Sequence, residues 1–265
     1  MTYCLAIKVQ QGLVFASDSR TNAGVDQLST FSKMFTFGIE GQRVFVVLTA
    51  GNLATTQSVI GHVQRDLKKG AEPNLNTVET LEDAAHYLGS LSQEEQERHG
   101  GKVDTSASFI LGGQIAGSPP LLCRIYPEGN FICATDETPY LQIGEVKYGK
   151  PILDRIIDKD TSLSEAALCA LVSMDSTTRS NATVGPPIEV MIYPADQLRL
   201  DDRVVFTADD PYLSDLKLAW DAKLKEAFTE LQRYSWQPGG SGNIQQTTTT
   251  YSQQGIPPGN GTGGI

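Results

Sequence analysis

A threonine at position 2 is followed by an aspartate at 18, an arginine at 20 and a lysine at 33. A threonine hydroxyl inside a chain is a poor nucleophile. At a free N-terminus it carries its own base, because the α-amine on the same residue titrates near ~8. Removal of Met1 exposes that amine, and threonine is small enough for such removal to be expected. A lysine ammonium beside Thr2 lowers the hydroxyl pKa by direct charge stabilisation, and an aspartate keeps that lysine charged and oriented. The cluster is neutral overall when the amine is uncharged, so its burial is tolerable only as a paired network. The set points to acyl transfer through a threonine oxygen. The plainer readings are a strand-end ion pair for Asp18 and Arg20, and a Lys33 that snorkels to solvent.

Short elements must bring these residues together. Residues 2–9 and 12–17 read as strands joined by the turn Gln10-Gln11-Gly12. That hairpin returns the chain, so Asp18 and Arg20 fall near Thr2. Residues 31–39 read as a third strand with Lys33 near its start, and residues 43–50 as a fourth. Asn52 has N-cap chemistry for a helix reaching Lys69, with Val59, Ile60, Val63 and Leu67 at helical spacing and Gly70 at its end.

These residues resemble the active-site pattern of the proteasome β-type family of N-terminal-nucleophile hydrolases. Leu48-Thr49-Ala50-Gly51-Asn52 is similar to the family's strand, glycine turn and helix start. The closest resemblance is to the bacterial Anbu (ancestral β-subunit) branch, related to the HslV type. It rests on residues 16–26, 48–57, 142–155 (Gln142-Ile143-Gly144-Glu145 through Arg155) and 174–181 (Met174-Asp175 through Ser180-Asn181). It covers about residues 2 to 236. The resemblance implies Thr2 as nucleophile, Asp18 and Lys33 as its charged support, and the Gly51 N–H as oxyanion donor. Arg20 orders the Asp–Lys pair. Glu145, Asp175 and Ser180 fall where the family supports the terminal amine, with departures: Gly144-Glu145 replaces a Gly-Ser pair, and Arg179-Ser180-Asn181-Ala182-Thr183 fills the later stretch. As a carboxylate near the amine, Glu145 raises the amine pKa and weakens it as a base near neutral pH. Thr21, Asn22, the rest of the 21–25 turn, and Ala50 are candidate pocket walls. Phe31, Met34, Phe35 and Phe37 read as core.

Further along, helices are expected at residues 77–92, 149–158, 162–178 (Ser162 and Glu165 forming a capping box) and 211–234. Residues 93–104 read as a loop, with strands at 106–112, 120–126, 130–134, 140–144, 188–193 and 203–206. Residues 127–130 form a hairpin turn. Segregated runs of strands and helices argue for α+β layering rather than βαβ units. Two stacked sheets with a helix layer on each outer side use every apolar face, and the resemblance implies this same four-layer αββα sandwich. Residues 1–236 are expected to form this domain. Residues 237–265 are rich in Gly, Pro, Gln and Thr and cannot bury enough surface to offset ordering entropy, so that tail is expected to be disordered or to order only on a neighbouring subunit.

The chain has 265 residues, 40% of them hydrophobic, which suits one sizeable core. A net charge of -10 argues against a nucleic-acid partner. No apolar stretch approaches the ~20 residues of a membrane span, and the start shows no basic n-region or continuous apolar h-region, so no targeting is expected. The four cysteines lack framework spacing and read as reduced thiols. Together these argue for a reducing cytosol, and the resemblance implies a bacterial one. His62, His86 and His99 have no partner spacing, so no metal site is expected, and the chemistry needs no metal or organic cofactor.

The expected activity is threonine endopeptidase action on peptide or unfolded protein within a self-assembled ring or helix, with any ATPase partner left open. The stripe Leu216, Leu218, Ala219, Leu224, Phe228 and Leu231 of the last helix reads as core or as an assembly contact. The rival readings are a weak or inactive ring or scaffold subunit and a small-amide N-terminal-nucleophile amidase. Amidases of that kind more often start with Cys or Ser, and Cys4 is too far inside the chain.

Overall fold

The computed structural model describes residues 1–22, 28–98, 104–201 and 203–234, excepting the side chains of Asn22 and Leu28. The tail from residue 237, the 23–25 part of the turn and His99 lie outside the described residues. One compact unit runs Met1–Lys223, and the described residues 224–234 belong to a second.

Strands β1 (Tyr3–Val9), β2 (Gly12–Asp18), β10 (Tyr140–Gly144), β11 (Ile188–Pro194) and β12 (Val204–Phe206) make one antiparallel sheet in the order β10-β1-β2-β11-β12. A second antiparallel sheet holds β5 (Met34–Ile39), β6 (Arg43–Gly51), β7 (Ala107–Ile115), β8 (Leu121–Ile125) and β9 (Phe131–Cys133) in sequential order. Strand alternation then divides the side chains. On β1, Tyr3, Leu5 and Ile7 pack with helices α3 (Lys150–Ile156) and α4 (Leu163–Ser180). On β6, Phe45 and Val47 pack with α1 (Leu53–Lys69) and α2 (Leu81–Glu97). Cys4, Ala6, Phe15, Val46 and Leu48 fill the space between the sheets. The result is the α+β four-layer sandwich.

Local chemistry explains the boundaries. Asn52 caps α1 by accepting from the Thr55 N–H, and Gly70 ends it in the left-handed conformation. Ser162 and Glu165 form the expected capping box on α4.

Several expectations meet a different outcome. Helix α2 starts later than residue 77, because Thr77 closes a turn with Asn74 and the capping box belongs to Thr80 and Asp83. Residues 93–97 continue α2 rather than starting the loop. A ribbon of β3 (Arg20–Asn22) and β4 (Leu28–Thr30), too short for a periodic signal, precedes β5. Cys123 and Cys133 are disulfide-bonded: they face each other across the β8–β9 pairing, a register that spacing alone does not reveal. In the last helix, α5 (Pro211–Glu230), Leu213 is buried and Leu216 partly so, but Leu218, Leu224 and Phe228 are exposed, as is Leu231 beyond it. Met34 is core and Phe35 and Phe37 are partly buried, while Phe31 is exposed.

Candidate active site

The start of β1 meets the end of β2 and the segment entering β5. The β1–β2 hairpin aligns Cys4 with Ser17, so Asp18 lies beside the Thr2–Tyr3 peptide. Asp18 Oδ1 accepts the Tyr3 backbone N–H at 3.0 Å and the Lys33 ammonium at 2.7 Å. Its Oδ2 accepts the Gly185 N–H at 3.3 Å. Lys33 Nζ also donates to the Arg20 carbonyl at 2.7 Å. Both members of the pair are sealed from solvent, with side-chain exposures of 6% for Lys33 and 0% for Asp18. Burial pushes the Asp18 carboxyl above the usual carboxylate range, while Lys33 and the two backbone donors pull it back.

Thr2 is half-buried and Met1 is exposed. The Thr2 carbonyl accepts the Glu145 N–H at 2.7 Å. Gly144 makes this contact possible: it has φ +83°, and a Cβ there would collide with the Thr2 carbonyl. Glu145 is buried, accepts from Asn181 Nδ2 at 3.0 Å and lies 3.5 Å from Lys147 Nζ. Gly51 ends β6 at φ +109°, where a Cβ would strike the Ser106 carbonyl. It is tied to Lys33 through the ladder, because the Thr49 N–H donates to the Lys33 carbonyl at 3.0 Å. Arg20 donates to the Ala182 carbonyl at 2.8 Å and packs against Gly185, clamping the loop that supplies an N–H to Asp18. Ala50 is buried between the sheets. Thr21 lies on the β3 ribbon, its hydroxyl without a partner among the described residues; Asn22 is on the same ribbon.

Among the described residues, neither Asp175 nor Ser180 bonds to this cluster. Asp175 is buried against α5, its carboxylate 3.9 Å from Lys217 Nζ, and burial raises its pKa against the pull of Lys217. Ser180 is exposed on the last turn of α4. Asn181, one residue on, is the group that reaches Glu145. Sequence reasoning missed Glu189, Gly185 and Arg203, which come from β11, the segment before it and the residue just ahead of β12. Among the described residues, no group of three His, Cys, Asp or Glu could hold a metal, and no helix is long and apolar enough to cross a membrane.

The fold is that of the proteasome-type N-terminal-nucleophile hydrolases. The family described as "Proteasome subunit" matches residues 2–193. Anbu (ancestral beta-subunit) from Yersinia bercovieri is 48% identical, with a TM-score of 0.85 over 89% of this chain and 100% of that one. The helical assembly of the Anbu complex from Pseudomonas aeruginosa is 49% identical, with a TM-score of 0.84 over 88% and 98%. Anbu from Hyphomicrobium sp. strain MC1 is 44% identical, with a TM-score of 0.83 over 89% and 100%. Curated proteins give no match. The chain belongs to the proteasome subunit family, within its Anbu branch.

Proposed function

We propose that the chain is a threonine-type peptidase that hydrolyses peptide bonds by acyl transfer to Thr2 after Met1 is removed. One observation carries this reading: a single buried oxygen, Asp18 Oδ1, holds both the Tyr3 N–H and the Lys33 ammonium. The residue before that N–H is Thr2, so the charged pair lies one peptide unit from the nucleophile. A Lys–Asp pair buried at the end of a sheet is costly as a structural device alone, which favours the enzyme over a scaffold subunit.

The freed amine, through a water, takes the hydroxyl proton as the oxygen attacks the carbonyl. The Gly51 N–H donates to the oxyanion, a type of contribution of roughly 3–4 kcal/mol. Lys33 stabilises the developing alkoxide, and Asp18 holds it in place. The protonated amine gives its proton to the leaving amine, and water hydrolyses the acyl-enzyme. Thr21, Asn22 and Ala50 are assigned to the pocket walls.

Self-assembly, in the bacterial cytoplasm, belongs to the same proposal. The Pseudomonas aeruginosa relative is described as a helical assembly. The exposed Leu224, Phe228 and Leu231 give this chain apolar surface that a second copy could cover. Peptides and unfolded chains are the substrates an enclosed site admits.

The test is Thr2→Ala, assayed with fluorogenic peptide amides and with a β-lactone that acylates activated hydroxyls. Turnover and N-terminal labelling are expected to vanish. Either one surviving the change overturns the assignment. Intact mass of the untreated protein is expected to show Met1 missing.

A further inference from the structure

We infer that Glu189 is a positioning residue for the acyl-transfer site, an inference that rests on the nucleophile reading above. Glu189 lies on β11 opposite Ser17 of β2, one step from the pairing of Ile188 with Asp18. Its side chain is 7% exposed and projects to the same side as Met191 and Tyr193, which line the space between the sheets. Oε1 accepts the Ser19 hydroxyl at 2.8 Å. Oε2 accepts the Ser32 hydroxyl at 3.0 Å and the Arg203 guanidinium at 2.7 Å. Arg203 also donates to the Met34 carbonyl at 2.7 Å.

The placement of the two serines gives the cluster its meaning. Ser19 follows Asp18, and Ser32 precedes Lys33. One carboxylate therefore ties together the two chain segments that carry the buried pair, and these segments belong to different sheets or their edges. Arg203 supplies the countercharge that makes burial of the carboxylate tolerable, and charge-assisted bonds of this kind are short and directional. A pair of apolar side chains could fill the same space but would not fix register between the segments. Glu189 has no contact with Thr2 among the described bonds, so it acts through Ser19 and Ser32. What it fixes is the separation of Lys33 from Asp18, and through Asp18 the peptide that follows Thr2.

The experiment measures Thr2 acylation by the β-lactone, read by mass on the N-terminal peptide, against pH. The proteins are wild type, Ser19→Ala/Ser32→Ala, Glu189→Gln and Thr2→Ala. The double variant removes both hydroxyl bonds, and the single variant keeps the shape but removes the charge. Both are expected to acylate about 10-fold to 100-fold more slowly per folded molecule, the cost of sub-ångström misplacement. The pH profile of the rate is expected to change with it, because these bonds hold the geometry of the Asp18–Lys33 pair on which the site depends. A purely structural Glu189 would reduce the folded fraction and leave the rate and pH profile of folded molecules unmoved, and that result overturns the inference. Labelling retained in Thr2→Ala overturns the nucleophile reading and this inference with it. Loss of labelling there, with wild-type profiles in both other variants, overturns the inference alone.

Discussion

Lys33 Nζ lies 2.7 Å from Asp18 Oδ1 with neither group open to water. The same Asp18 oxygen also fixes the peptide that follows Thr2, so the contact joins the start of β1 to the segment entering β5. A buried pair of this kind contributes little net stability when complete, yet losing one member leaves an unpaired charge.

Lys33→Ala should therefore be the costliest change at the site. It is expected to destabilise the protein by about 3–5 kcal/mol in urea unfolding. Asp18→Asn keeps the shape and should cost less. Both should abolish acylation of Thr2 by the lactone. Stability unchanged in Lys33→Ala would mean that the charge is not buried in solution.

Gly51→Ala puts a Cβ against the Ser106 carbonyl at a φ of +109°. The strain is of order 1–3 kcal/mol. The turn must shift to relieve it, and on the proposed mechanism the N–H then turns away from the developing oxyanion. Peptide turnover is expected to fall about 100-fold or more, in the range of a lost oxyanion donor. Full turnover in a stable Gly51→Ala protein would remove Gly51 from the mechanism.

Glu145→Gln should change pH dependence more than stability. The Glu145 N–H holds the Thr2 carbonyl, so its carboxylate springs from the main chain that pairs with the nucleophile residue. A nearby carboxylate favours the ammonium form and raises the amine pKa. The base must be neutral, so activity is lost as pH falls through that raised value. Replacing the carboxylate lowers the amine pKa, and the acid limb of the rate profile should move to lower pH. A limb that stays put places the carboxylate beyond reach of the amine.

The cysteines give an inexpensive check on the sheets. Burial pushes Cys169 up to about 12 and Cys4 higher still, so neither is a thiolate at about pH 8. Iodoacetamide should leave the native protein unlabelled. Unfolding without reductant should expose the two free thiols, Cys4 and Cys169, and reduction should add Cys123 and Cys133. Four labels without reductant would show the β8–β9 bridge to be absent.

Much of the fold was legible because its signals are local. The hairpin at Gln10-Gln11-Gly12, the Asn52 and Ser162 caps and the Gly70 stop each depend on residues within a few positions of one another. The start of α2 was misread because Asn74 and Thr77 spend their side chains on a turn, leaving Thr80 as the cap. The exposure of Phe228 could not be read either, since an apolar helical stripe looks the same whether it faces a core, a partner or water.

By itself the sequence determined the chemistry available at the chain's start: a threonine one residue from the end, with an aspartate and a lysine within reach of a short hairpin and the strand after it. The tertiary structure alone decided which distant groups complete the arrangement. It brings Gly185 to Asp18, Asn181 to Glu145, and Glu189 with Arg203 to the serines that flank the charged pair. It also turns Asp175 away toward Lys217. These contacts span tens to more than a hundred residues and are set by the pairing of β11 with β2 and the packing of α4 and α5. No local pattern encodes such a register, because only the closing of the sheets brings those side chains within bonding distance.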